Sequence, residues 1–304
     1  MRTLIIIEAP SNLGLKALNG DTEPGVKYLP DAFRKTRLAI NAGIDHCITI
    51  TPPPYATDVD EESQIRNATA IADYSRLLAR QIDETIKNDM VPVVIGGDCS
   101  ILLGNALGLK TSGRYGLFSI DGHTDYMWPE HSSTNGAAGM DLALVTGNGP
   151  GILSDIDGKG PYFEEGHVYS YGNRDQEGWY IELIKNSDIS YFDLPAIRQN
   201  GIDCITADFL KMVGQENLDG FWIHLDVDVL DNAIMPCVDS PQEDGLSYKE
   251  LKETLQPLLA SPYFKGINIT ILDPTLDPEL GYTRAFSDQL AGLLNGVVTG
   301  INIQ

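Results

Sequence analysis

Apolar, β-branched runs recur along the chain at positions 3–7, 47–51, 91–95, 115–120, 167–171, 221–227 and 266–272, with a weaker run at 189–192. Several are apolar throughout rather than alternating, the pattern of strands covered on both faces. Helical patterns fall between them, at 32–42, 61–88, 100–109, 247–259 and 287–299. Ser100 and Ser247 stand where N-caps are expected, and Glu250, three residues after Ser247, completes a capping box. Strands alternating with helices predict an α/β fold, a three-layer α/β/α sandwich around a mostly parallel sheet. Positions 147–160 contain several glycines and read as a loop between a short helix and a strand. No linker or internal repeat divides the chain, so residues 1–304 are expected to form a single domain.

Charge narrows the partners. The chain has 21 Lys and Arg against 43 Asp and Glu, a formal charge of -22. Phosphate-backbone binders need a basic face, so nucleic acid is not an expected partner. The apolar run Leu4 to Ile7 is too short for a signal peptide, and nothing approaches the ~20 apolar residues of a membrane span. Cys47, Cys99, Cys204 and Cys237 lie far apart with no CxxC spacing, which points to a reducing compartment. A soluble cytoplasmic protein with no membrane partner is expected.

Three apolar runs end in chemistry. Gly96-Gly97-Asp98-Cys99-Ser100 follows the run at 91–95, and Asp121-Gly122-His123-Thr124-Asp125 follows 115–120. Asp226-Val227-Asp228, with Asp231 just beyond, closes the run at 221–227. Open parallel sheets bind ligands at these C-terminal strand ends. On an extended strand end, period two puts Asp121, His123 and Asp125 on one face, and aligns Asp226 and Asp228 with His224 behind them. Carboxylates gathered this way repel unless cations neutralise them. One or two divalent ions would do so, and would also activate a water near neutral pH. Any single strand-end Asp is more often a cap or turn residue, and Asp231-Asn232 reads as a turn. The positions taken together favour a metal site.

The order Gly-Gly-Asp-x-Ser, Asp-x-His-Thr-Asp, Asp-x-Asp-x-x-Asp resembles the ureohydrolase superfamily: arginases, agmatinases, formimidoylglutamases and related amidinohydrolases. The likeness runs from the N-terminal strand and the Gly25-Val26-Lys27-Tyr28-Leu29-Pro30 loop to the final strand. It implies an arginase-like fold and two Mn2+ ions per chain. Asp121 and Asp226 would bridge both ions, Asp125 and residue 99 would complete the first, and His123 and Asp228 would hold the second. A metal-bound hydroxide would then attack an amidine carbon. The resemblance also implies a small-molecule substrate and a homo-oligomer, a trimer or hexamer.

Three positions depart from the family pattern. Cys99 stands where most relatives have a metal-binding His, and as a softer ligand it favours Zn2+ or Fe2+, or a single ion; its bland reading is a packed apolar residue. Ala138 occupies the place of the His that protonates the leaving amine, leaving His131 or Glu130 of the same loop as candidates. Ile271 replaces the Glu that grips a guanidinium, with Asp273 two residues on as its stand-in, or simply as an Asp-Pro turn residue. Asp125, His131 and Asp273 are thus the candidate catalytic residues, and Cys99, Asp121, His123, Asp125, Asp226 and Asp228 the candidate metal ligands. Met127, flanked by Tyr126 and Trp128 as a pocket wall, Glu177 and Asp273 are the candidate substrate contacts. Gly172-Asn173-Arg174-Asp175 resembles the family's Gly-x-Arg-Asp. The expected function is metal-dependent hydrolysis of a C–N bond in a linear amidine or guanidino compound. The alternatives are a mononuclear metalloamidase or deacylase acting on an acylated amine, or a non-catalytic metal-binding member.

Overall fold

A computed structural model describes residues 2–17, 22–174 and 177–300. Its centre is an eight-stranded sheet: β1 (Thr3–Glu8), β2 (His46–Thr49), β3 (Met90–Ile95), β4 (Tyr115–Ile120), β5 (Val168–Asn173), β6 (Ser190–Asp193), β7 (Gly220–Asp226) and β8 (Phe264–Thr270). The strand order is β2-β1-β3-β8-β7-β4-β5-β6, and every pairing is parallel. The mostly parallel sheet expected from the sequence is therefore parallel throughout.

Period two splits the inner strands between two cores. On β7, Phe221, Ile223 and Leu225 face one layer, packed with helices Ile202–Gln215, Tyr248–Ala260 and Gly281–Thr299. Trp222 faces the other, under Ala68–Lys87, Ile101–Lys110 and Asp141–Val145. His224 and Asp226 alternate onto Trp222's side. Burial on both faces is why these strands read as continuous apolar runs.

Several boundaries differ from the sequence reading. The helical pattern at 32–42 is two helices, Leu29–Thr36 and Leu38–Ala42, separated by Arg37 at φ 66°. The pattern at 61–88 is helical only over Ala68–Lys87. Ser247 and Glu250 form the expected capping box. Ser100 makes no side-chain cap; instead its own N–H donates to Asp98 Oδ1 at 2.9 Å. Positions 147–160 contain two short turns of helix, Gly151–Ser154 and Ile156–Gly158. Among the described residues, no helix is long and apolar enough to cross a membrane.

Order in the centre of the sheet positions the site. β3, β8, β7 and β4 are consecutive neighbours, so the three motif segments leave the sheet side by side.

Candidate metal centre

The expected strand alternation reaches Asp226 but stops before Asp121, His123, Asp125 and Asp228. β4 ends at Ile120, Asp125 has φ 44°, and Val227–Val229 is a 3-10 turn. Backbone donors orient the carboxylates in its place. His123 N donates to Asp121 Oδ1 at 2.6 Å, Asp228 N to Asp226 Oδ1 at 2.8 Å, and Gly122 N to Asp228 Oδ1 at 3.0 Å. Gly122 has no room for a side chain, since a Cβ would sit 2.8 Å from Asp228 Oδ1 and 2.7 Å from the Arg174 guanidinium.

Arg174 holds the β7 loop. Its buried guanidinium donates to the carbonyls of Asp228 at 2.7 Å and Glu243 at 3.2 Å, and to those of Val229, Leu230 and Gln242 at 3.3 Å. A buried cation thereby sits beside Asp228. Asp175, the last residue of that motif, lies outside the described residues.

Three overlapping groups each bring one donor atom per residue within 4.8 Å: Asp121, His123 and Asp228; Asp121, His224 and Asp226; Cys99, Asp141 and His224. His123 Nδ1 is 2.8 Å from Asp228 Oδ2, and Cys99 Sγ is 2.8 Å from Asp226 Oδ2. Burial, reinforced by their mutual repulsion, pushes the Asp121, Asp125, Asp141 and Asp226 carboxyls well above the usual range. Asp228 is the exception. Burial raises it, but His123, the Gly122 amide and Arg174 outweigh that and hold it low. Burial likewise pulls His123 down, yet Asp228 and Asp121 lift it to about 9. Burial, then Asp226, pushes the Cys99 thiol well up, and burial takes His224 down to about 4. Carboxylates so strongly destabilised by one another make a donor set that fits divalent cations.

Above this floor opens a cavity of about 530 Å³, within the usual range for small-molecule sites. Cys99, His123, Asp125, Asp226 and Asp228 form its floor, and Leu15, Met127, Ala138 and Ile271 line its walls. His131, Glu177, Trp179, Tyr180, Asp239, Gln242 and Lys16 are among the other residues of the lining.

A family model described as the arginase family matches residues 2–293. The chain belongs to the arginase family. An arginase from Bacillus caldovelox is 28% identical over 304 residues, covering 97% of this chain and 99% of that protein. One from Staphylococcus aureus (strain COL) is 27% identical over 278 residues, 91% of each. The native Bacillus caldovelox arginase structure superposes with a TM-score of 0.85 at 25% identity, covering 98% of both chains. Formimidoylglutamase from Bacillus subtilis shares the fold, with a TM-score of 0.71 at 20% identity over 98% of this chain and 88% of that one.

Within this arginase-family site, the residues singled out in the sequence part company. Cys99, His123, Asp125, Asp226 and Asp228 face the cavity, and Asp121 lies just beneath them, 3% exposed. Met127 and Glu177 line it too, as does His131, whose ring packs against Trp179 with centres 5.2 Å apart. Glu130 does not reach the lining, and Tyr126 and Trp128 pack behind Met127, 5.5 Å apart, with the Tyr126 hydroxyl on Glu165.

Asp273 is a correction. It does not line the cavity, because its carboxylate accepts from Gly25 N at 3.0 Å, Thr275 N at 2.8 Å and Thr275 Oγ1 at 2.6 Å. It caps the turn Pro274–Leu276 and pins the Gly25 loop. Ile271 occupies the cavity wall instead, at φ 72°, a conformation costly for a β-branched residue. Asp231 is the turn residue its neighbours suggest, accepting from Ala233 N at 2.8 Å and Gly245 N at 3.2 Å.

Sequence reasoning missed Tyr180, whose hydroxyl accepts from Asp125 N at 2.9 Å, and Asp239 on the cavity lining. It also missed Asp141. A lone Asp opening a helix has no signal to set it apart from an ordinary first-turn acid.

Proposed function

We propose that this arginase-family chain hydrolyses a C–N bond of a linear amidine or guanidino compound with the help of two divalent ions, Mn2+ by family resemblance. The carrying observation is the convergence of Asp121, His123, Asp226, Asp228 and Cys99 under one cavity. Asp121, Asp125, Asp226 and Cys99 would hold one ion, and Asp121, His123, Asp226 and Asp228 the other. Bound there, the ions supply a water acidic enough to attack near neutral pH.

The rest of the chemistry belongs to side chains. Hydrolysis forms a C–O bond at the amidine carbon, breaks its C–N bond, and leaves an amine that must take up a proton. Ala138 carries no proton, and the His123 ring is tied to Asp228. His131 is the cavity-lining imidazole free to carry it. Glu177 and Asp239 present carboxylates to a cationic substrate, and Met127 and Ile271 exclude water from its apolar stem.

The test is a screen of guanidino compounds for urea release by protein reconstituted with Mn2+. Urea from at least one substrate, lost on chelation, is the expected result. Ile271, apolar where a guanidinium grip would be charged, favours a second reading, the deacylase. Release of amine from acylated amines without urea would establish that reading instead.

A further inference from the structure

Beneath the cavity floor lie two side chains that the sequence motifs do not make ligands. Asp141 opens the helix Asp141–Val145, and His224 precedes Asp226 by two residues on the same face of β7. They are 1% and 0% exposed, and neither lines the cavity. No donor meets either Asp141 oxygen in full hydrogen-bond geometry, although the neighbouring Leu142 amide interacts with the carboxylate and favours its charged form. His224 Nε2 is likewise without a hydrogen-bond partner. Native proteins seldom leave a buried carboxylate bare, because its desolvation goes uncompensated. A cation removes that cost.

The neighbours decide which of the two meets it. Trp222 Nε1 can only donate, and it donates to Asn268 Oδ1 at 2.7 Å. Asn268 Nδ2 is thereby turned to His224 Nδ1, also at 2.7 Å. An amide nitrogen also only donates, so Nδ1 accepts and the ring proton resides on Nε2. That N–H faces Asp141 Oδ2 at 3.5 Å and Asp121 Oδ2 at 4.0 Å. A protonated Nε2 offers no lone pair to a metal. Asp141 does, and it shares its cluster with Cys99 Sγ.

We propose that Asp141 is a further ligand of the inner divalent ion, beside Cys99, Asp121, Asp125 and Asp226, and that His224 is its positioning residue. Hydrogen bonds join Trp222, Asn268 and His224, and the last ring N–H points at Asp141 from 3.5 Å, the place an outer-shell partner takes in other metal sites. Here the carboxylate faces the ion and the imidazole stands behind it. Sulfur among the carboxylates makes this inner position more receptive to Zn2+, Fe2+ or Co2+ than the outer one built on His123. The assignment rests on the divalent-metal reading above.

Cobalt loading of the full chain tests it. Chelator-stripped wild type, Asp141→Asn and His224→Gln are reconstituted with Co2+, and bound metal and affinity are measured by equilibrium dialysis with elemental analysis. Wild type is expected to hold two ions and Asp141→Asn one. His224→Gln should keep two, with the inner one weakened roughly 10- to 100-fold. Crystals of Co2+-loaded wild type should show anomalous density about 2 Å from an Asp141 oxygen, a result that does not depend on the variants folding. Two ions at wild-type affinity in Asp141→Asn overturn the proposal. So does wild-type density bonded to His224 Nε2 rather than to Asp141. Failure of the functional reading alone would look different: a two-cobalt chain that releases no urea.

Discussion

Cys99 Sγ lies 2.8 Å from Asp226 Oδ2, with Thr270 Oγ1 at 3.1 Å on its other side. One S–H cannot serve both, and the carboxylate is the stronger acceptor. Cys99, one of three residues that depart from the family pattern, thus stands in contact with a carboxylate proposed to hold both ions. Cys99→Ser keeps the size and the donor, so the fold should survive. Replacing sulfur by oxygen should lower the affinity for Zn2+ relative to Mn2+ by at least about tenfold. Competition titration reads this, and an unchanged preference would make Cys99 a packing residue.

Asp226→Asn should separate stability from function. It retains the oxygen that accepts from Asp228 N but removes one charge from a buried, mutually repelling group. With chelator present, the variant should be more stable than wild type, on the order of 1 kcal/mol. Added Mn2+ should no longer raise its melting temperature, and turnover should fall more than about 100-fold. Equal melting temperatures under chelation would show that repulsion is relieved some other way.

Metal-free protein should lose stability as pH rises from 6.5 to about 9. His123 has a folded value of about 9 against an ordinary 6.5, so across that window the folded state binds more protons than the unfolded. Stability then falls with pH. The raised Asp121, Asp125, Asp141 and Asp226 carboxyls act in the same sense. Asp228, held low, has finished titrating below it, whereas His224, at about 4 folded against 6.5 unfolded, opposes the fall near pH 6.5 and ceases to do so about one pH unit higher. Saturating Mn2+ should reverse the trend, because the ion needs the deprotonated ligands. Thermal melts with chelator and with Mn2+ across this range check both signs.

Arg174→Lys should not pass as conservative. A single ammonium cannot span the carbonyls from Asp228 to Glu243 that the planar guanidinium reaches. The expected loss is roughly 2–4 kcal/mol in urea unfolding, in the range of a broken buried network. Metal affinity should fall with it, since the loop carrying Asp228 loosens.

Asp273→Ala checks the reassignment of that residue. As a cap it should be worth about 1 kcal/mol, with KM for any active substrate unchanged. A large rise in KM would return Asp273 to the substrate site.

What the sequence by itself determined was local. Apolar runs such as 91–95 and 115–120 form strands because both faces are buried, and Asp121, His123, Asp226 and Asp228 follow their strand ends too closely for the chain to carry them elsewhere. The helix Ile202–Gln215, which buries Ile205, Thr206, Phe209 and Val213 on one face, is absent from the sequence reading, because it starts after Gly201 with no side-chain cap to mark it. Only the tertiary structure decided the fates of three side chains. Asp273 looks like a substrate contact in sequence, yet Gly25, from the far end of the chain, takes its carboxylate. Asp141 looks like a helix-opening acid, yet packing of its helix against β7 sets it beside His224. His224 itself was placed by strand period, but its proton was placed by Asn268, its register partner on β8. Periodicity acts within one element, whereas the partner that satisfies or orphans a buried polar atom comes from another, and sequence spacing does not encode that distance.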